Sequence, residues 1–302
     1  MWILEPLTIG FDQVTASNIL EDDAPEWSAG SFDTGDVVIL NHVIYESLKD
    51  SNTVEPGTTD DGVDWLKRSS TNKFKPFDQK NISPAQNDDL ITYTIKPGRR
   101  IDTIAFVDLD CVSVEIAINI PGQPTAIYTS SKNALRSENR ATFHDWFFAD
   151  RVYTRTIVFT DIPAYENFVN ATIDITISRS SGVAKVGEIL FGKVWKVGKT
   201  LYETAPRIVS FSVDRRDDFG NLISTKRRAT RSVSYRFVVE TSQIDYVLDR
   251  ISNLTATKLL FMAGLDFERR GTTLFGTQRD LTIPIEGPSK SEAQIEVEGF
   301  IG

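Results

Sequence analysis

Residues 90–122 read LITYTIKPGRRIDTIAFVDLDCVSVEIAINIPG, and their period is two. Ile91, Tyr93 and Ile95 alternate with polar residues, as do Val112, Val114, Ile116, Ile118 and Ile120, with Ile101 through Val107 between them. Alternation over this length places apolar groups on one face of a strand. Lys96-Pro97-Gly98 and Pro121-Gly122-Gln123-Pro124 supply turns. Further strands are expected at Arg155–Phe159, Ala171–Ile177 and Gly187–Lys196. Short alternating strands at such spacing point to a two-sheet sandwich of jelly-roll type, assigned to residues 71–198. Asn133–Asp150 is less regular, and Phe143, Trp146, Phe147 and Phe148 are expected to cap one end of it.

Working outward, the pattern changes after residue 198. Pro206–Val213 reads as a strand, Asp217–Asn221 as a turn, and Arg231–Glu240 alternates again. Thr241-Ser242-Gln243-Ile244-Asp245 offers an N-cap for a helix to about Asn253, with Ile244, Val247, Leu248, Ile251 and Leu254 at helical spacing. Leu259–Met262 is a buried strand and, after a polar stretch, Ala293–Glu298 a terminal one. Residues 199–302 therefore form a small α+β assembly unit, one helix over a sheet. Toward the other end, Trp2-Ile3-Leu4 make residues 1–23 a docking arm, since such a terminus stays loose unless it packs.

Between arm and sandwich, residues 24–70 space Trp27, Tyr45 and Trp65 among turn signals (Thr34-Gly35-Asp36, Leu40-Asn41-His42, Glu55-Pro56-Gly57) and short β-branched runs. This is the grammar of a three-stranded antiparallel meander pinned by aromatics. The segment resembles the small chitin- and cellulose-binding modules of family 5/12 at Trp27, Gly35-Asp36-Val37-Val38, Tyr45-Glu46, Pro56-Gly57 and Trp65. Those modules carry a Trp or tandem Trp just after the Tyr-Glu-Ala stretch. Here the positions read Ser47-Leu48-Lys49-Asp50. The resemblance implies a sugar-module scaffold, with Trp27, Tyr45 and Trp65 as candidate glycan or partner contacts; equally, a fold this small needs all three as its core.

Composition sets bounds. The chain has 302 residues, 40% of them apolar and 25% charged, with one cysteine and a formal net charge of −9. Its length exceeds one ordinary core. No apolar run approaches the ~20 residues that span a bilayer. Residues 1–20 lack the basic start and continuous apolar core of a signal peptide, so synthesis and folding in a cytoplasm are expected. Cys111, without a disulfide partner, reads as a small buried hydrophobe. Charge is uneven: residues 1–70 hold fourteen Asp/Glu against three Lys/Arg. Residues 200–236 hold eight Lys/Arg against four acids, among them Arg215, Arg216, Arg227, Arg228 and Arg231. An acidic head and a basic belt suggest complementary surfaces between copies or partners, or else solvated faces of separate units. The acidic total and the lack of interleaved aromatics argue against nucleic acid.

Catalytic groups are scarce. His42 and His144 are far apart and lack metal spacing, and His42 reads as a solvent-facing turn residue. Asp108 and Asp110 share a strand face and read as a sandwich rim before a carboxylate pair or calcium site. Gly182–Gly198 contains neither a Walker motif nor GxGxxG. No enzyme, cofactor or metal is expected.

Three further blocks are similar to tail proteins of tailed bacteriophages. They are Pro6-Leu7-Thr8-Ile9 with Thr15–Asn18 and Glu21–Trp27; Thr71–Asp78, TNKFKPFD; and Gly187–Gly192 leading through Leu201-Tyr202 to Arg215–Gly220. This resemblance implies a virion structural protein of the tail tip or baseplate, made in the host cytoplasm and repeated about a symmetry axis. Its partners would be copies of itself and other tail proteins (tube, hub or fibre), without nucleic acid or membrane. The alternative is recognition of a bacterial surface glycan.

Overall fold

The structure, a computed structural model, describes residues 1–58, 62–80, 83–135, 142–148, 153–165, 167–216, 219–265, 271–285 and 287–300. Strands β1 (Trp2–Leu7) and β2 (Val14–Ser17) open the chain. The module follows as β3 (Val37–Leu40), β4 (Val43–Ser47) and β5 (Trp65–Ser70). Next come β6 (Ala85–Ile95), β7 (Thr103–Val107), β8 (Ser113–Asn119), β9 (Tyr128–Asn133), the short helix α1 (Phe143–Phe148), β10 (Thr156–Phe159), β11 (Thr172–Val186) and β12 (Glu188–Lys196). The last third holds β13 (Lys199–Thr200), β14 (Ala205–Ser210), β15 (Val213–Arg216), β16 (Leu222–Thr225) and β17 (Ala229–Glu240). Helix α2 (Ile244–Asn253), β18 (Leu259–Met262), β19 (Thr273–Thr282) and β20 (Lys290–Gly299) complete it. The protein is mainly β, built of curled antiparallel sheets, with a C-terminal sheet and helix.

The alternation that begins at Leu90 does what its period demands. Ile91, Tyr93 and Ile95 of β6 stand opposite Ile177, Ile175 and Ile173 of β11, which stand opposite Val114, Ile116 and Ile118 of β8. These nine residues form a three-by-three apolar grid, at most 1% exposed, on one face of the sheet ordered β2-β6-β11-β8-β9. Against it lie Ile104 and Phe106 of β7, Ile157 and Phe159 of β10, and Ile189 and Phe191 of β12, which complete the sandwich core.

The second sheet is longer than the sandwich. Its order is β10-β7-β12-β1-β18-β19-β20-β17-β13, with β14 also on β17. The residues expected to act as an arm thus form an interior strand rather than an appendage. β1 pairs with β12 along its whole length and with β18 through Trp2, Ile3 and Leu4. Its alternation serves two cores. Ile3 points into the cluster under α2, and Leu4 into an opposite cluster with Ala105, Leu190, Leu260, Met262 and Phe275. Both are fully buried. A single sheet therefore crosses the boundary expected near residue 198. Gly192, opposite Pro6, marks the closeness of β1: a β-carbon there would stand on the Glu5 carbonyl oxygen.

In the C-terminal third, Ile244, Val247 and Ile251 of α2, with Leu254, pack on Tyr235, Phe237, Val239, Ile295 and Val297. Leu248, expected on that face, is exposed. The helix start also differs from expectation. A 3-10 turn over Thr241–Gln243 leads into it without a side-chain cap, because the Thr241 hydroxyl donates to Gly287 O at 2.9 Å. β19 occupies the polar stretch, its outer half carrying half-buried Gln278 with exposed Arg279 and Asp280.

Three of the four aromatics expected to cap the sandwich do not. Phe143, Phe147 and Phe148 of α1 stand exposed, and the Trp146 side chain lies outside the described residues. Cys111 is fully buried in the sandwich core, and burial pushes its thiol up to about 12. We expect no reaction with Ellman's reagent at pH 8 until denaturant is added, because the thiolate is the attacking species. Stoichiometric labelling of the folded protein would contradict this placement.

Candidate functional site: aromatic module and basic hairpin

The module is a three-stranded sheet ordered β3-β4-β5, as its turns and aromatics imply. Trp65 opens β5 opposite Ser47 and is 2% exposed. Its indole N–H donates to Val54 O at 2.8 Å, and its ring meets Phe32 edge-on at 5.4 Å. A buried ring offers no open face to a sugar, and Trp65 packs within the miniature core. Tyr45 is half-buried over the turn at Gly57, whose φ of +78° favours glycine; a β-carbon there would sit 3.3 Å from the Tyr45 hydroxyl. Trp27 is half-buried beside β3, its backbone N–H on Ile39 O at 2.8 Å. The three candidates thus do not form one open platform.

Ser47-Leu48-Lys49-Asp50, where the sugar-module pattern breaks, has a structural role. Ser47 is fully buried, and its hydroxyl donates to Lys49 O and accepts from the Asn52 amide at 3.1 Å. Asn52, also fully buried, donates to Asp64 O and accepts from the Val54 N–H. Lys49 pairs with Asp64, and Asp50 accepts the Thr34 N–H at 3.0 Å. Such satisfied buried groups pin a loop in place of apolar mass.

His42 lies at the β3–β4 turn with its side chain 40% exposed, as expected, and also seats the module on the rest of the chain. Its Nδ1 lies 2.8 Å from the Glu21 carboxylate, which also accepts from the Thr71 hydroxyl at 3.1 Å. Its ring packs on Phe11 and Phe74, with centroids at 5.2 and 4.4 Å. Asp23 accepts the Asn72 N–H and pairs with Lys75.

The basic residues come together on one projection. β14 pairs with β17 from Ala205↔Ser234 to Ser210↔Ala229, and β15 with β16 from Val213↔Thr225 to Arg216↔Leu222. Between them the Phe211 N–H reaches Arg228 O, and the Arg227 N–H reaches the Ser212 hydroxyl. The result is a single hairpin. β20 flanks β17 only from Ser232 onward, so from Ile208 outward the ribbon has no further strand beside it among the described residues. At the rise of a strand, Ile208–Arg216 spans roughly 30 Å.

Arg215 and Arg216 lie on β15, Arg227 and Arg228 on the returning segment, and Arg231 at the base opposite Ile208. All are exposed. Arg216 donates to Gly220 O; Arg215, Arg227, Arg228 and Arg231 have no carboxylate partner among the described residues. Among these cations stand exposed apolar groups: Ile208 (76%), Phe219 (91%), Leu222 (63%), Phe211, Val213 and Ile223. Charge counting finds the cations but not these apolar residues, because Pro206–Val213 reads only as a strand and its exposure has no sequence signal. The acids of the expected turn, Asp217 and Asp218, lie outside the described residues.

Elsewhere, Asp108 pairs with Arg155 at 3.6 Å and Asp110 with Arg179, so the two carboxylates are taken separately. Among the described residues no group of three or more His, Cys, Asp or Glu is placed to hold a metal, and no helix is long and apolar enough to cross a membrane. No protein-family model matches this chain, and neither does any curated protein.

Proposed function

We propose that this protein is a structural building block of a bacteriophage tail, a tip or baseplate component that assembles with copies of itself into a ring. The observation that carries the reading is the hairpin Ala205–Ser234. A two-stranded ribbon is marginal alone in water, and contiguous exposed apolar groups mark a contact surface. Its exposed arginines, four of them without a carboxylate partner among the described residues, add a charge that the acid-rich residues 1–70 of another copy would complement. A contact between unlike patches is heterologous and closes into a ring when its rotation permits. The tail assignment rests on the similarity of the three sequence blocks to tail proteins, and its further partners would be tube, hub or fibre. Glycan recognition has less support, since the buried Trp65 removes one of three aromatic faces.

Light scattering on the purified chain tests this. We expect a mass several times the 33.8 kDa of one chain. The triple variant Arg215→Glu, Arg216→Glu, Arg228→Glu should fall to monomer with unchanged circular dichroism, because none of these side chains is buried. A wild-type chain that stays monomeric at high micromolar concentration and is absent from particles would refute the proposal.

A further inference from the structure

One concavity is lined by residues that belong to neither the module nor the hairpin. It is a cleft of about 680 Å³ where β1 leaves β18 behind and runs on beside β12. Four cations line it from three elements: Arg99 and Arg100 from the turn after β6, Lys193 from β12, and Arg250 from α2. The chain as a whole has 42 acids against 33 Lys and Arg, so four cations to one acid runs against its composition. That acid, Glu5, is already held by Arg250 at 3.4 Å. The neighbouring Asp102 is engaged by the Val194 N–H at 2.9 Å and the Thr103 hydroxyl at 3.0 Å. Arg99, Arg100 and Lys193 have no acidic partner among the described residues.

The cleft is also braced. The Arg250 guanidinium lies 4.3 Å from the Trp195 ring centroid and donates to the Tyr246 hydroxyl at 2.8 Å. Gln13 ties two walls together, donating to Pro97 O at 2.9 Å and accepting the Gly10 N–H at 2.7 Å. Cations in excess of their counter-charge repel one another, and an oxyanion relieves that repulsion. A planar carboxylate is filled by one guanidinium fork, whereas phosphate accepts donors from several directions and takes Lys, as a point charge, alongside Arg.

We propose that this cleft binds a phosphate-bearing ligand, either a phosphodiester polymer or free polyphosphate. Calorimetry on the full chain tests it with three probes: tripolyphosphate, a glycerol-phosphate oligomer, and a hexa-aspartate peptide. We expect saturable one-to-one binding of a phosphate probe that weakens as salt is raised. Arg100→Ala with Lys193→Ala should lower affinity roughly tenfold or more at unchanged melting temperature, since removing a charge-assisted hydrogen bond has an effect of that order. Tighter binding of the oligomer assigns the site to a polymer, and tighter binding of tripolyphosphate to free phosphate; either supports the proposal. Preference for the peptide overturns it in favour of a protein partner. Absent binding, or binding that the double variant leaves intact, also overturns it.

Discussion

A chain lacking Trp2–Leu7 is expected to lose cooperative folding in the sandwich and the C-terminal unit together. Removal takes the fully buried Ile3 and Leu4 from two different cores. Burial of each such side chain contributes ~1.5–3 kcal/mol. It also leaves the inner edges of β12 and β18 without their shared partner, six register pairs on one side and three on the other. Buried backbone groups without partners cost further. Against a typical total of ~5–15 kcal/mol, these losses are decisive. Thermal and urea melts followed by circular dichroism should show a broad transition or none. Leu4→Ala, a milder probe, should destabilise by about 2–5 kcal/mol. A shortened chain that keeps one sharp melt within a few degrees of the intact protein would show that β1 is dispensable.

Trp65→Ala is expected to unfold the module while the rest of the chain stays native. Truncating a buried Trp costs ~3–5 kcal/mol in a well-packed core. The module core is small, with Val38, Ile39, Val43 and Ile44 the other buried apolar residues of its strands. The variant also strips Val54 O of its indole donor and Phe32 of its edge contact. Limited proteolysis should therefore open residues 28–64 and leave a resistant nicked core, in which the N-terminal piece carrying β1 and β2 stays bound to the piece that begins near Thr71, and which melts as before. Equal protease resistance in variant and wild type would show that the module does not depend on Trp65.

The legible parts of this fold are those where one side chain in two meets a core. β6, β8 and β11 alternate cleanly because each has one face on the sandwich interior and one outside. Leu259–Met262 is apolar at every position because both faces of β18 are covered. β1 is not legible as a strand, since its partners lie far along the chain and no local signal fixes such a pairing. Helix α1 carries apolar residues that the fold leaves exposed, so composition points the wrong way there. In the candidate site, arginine clustering is visible as charge. The projection that carries it depends on where β20 stops flanking β17, which is a property of the sheet. The cleft at Arg99, Arg100, Lys193 and Arg250 joins residues from distant segments and leaves no linear trace.

The position of β1 also sets a timetable for synthesis. Trp2 pairs with Lys196 and with Met262, so the ribosome must add most of the chain before the first strand finds its second neighbour. At ~5–20 residues per second that interval is on the order of tens of seconds. The module, whose pairings are local, can close early in this period. An apolar Trp-Ile-Leu segment meanwhile waits unpaired, and a waiting strand is a target for chaperones and for the strand edges of other nascent copies. The nascent chain is thus most vulnerable to mispairing between emergence of its first strand and emergence of β18.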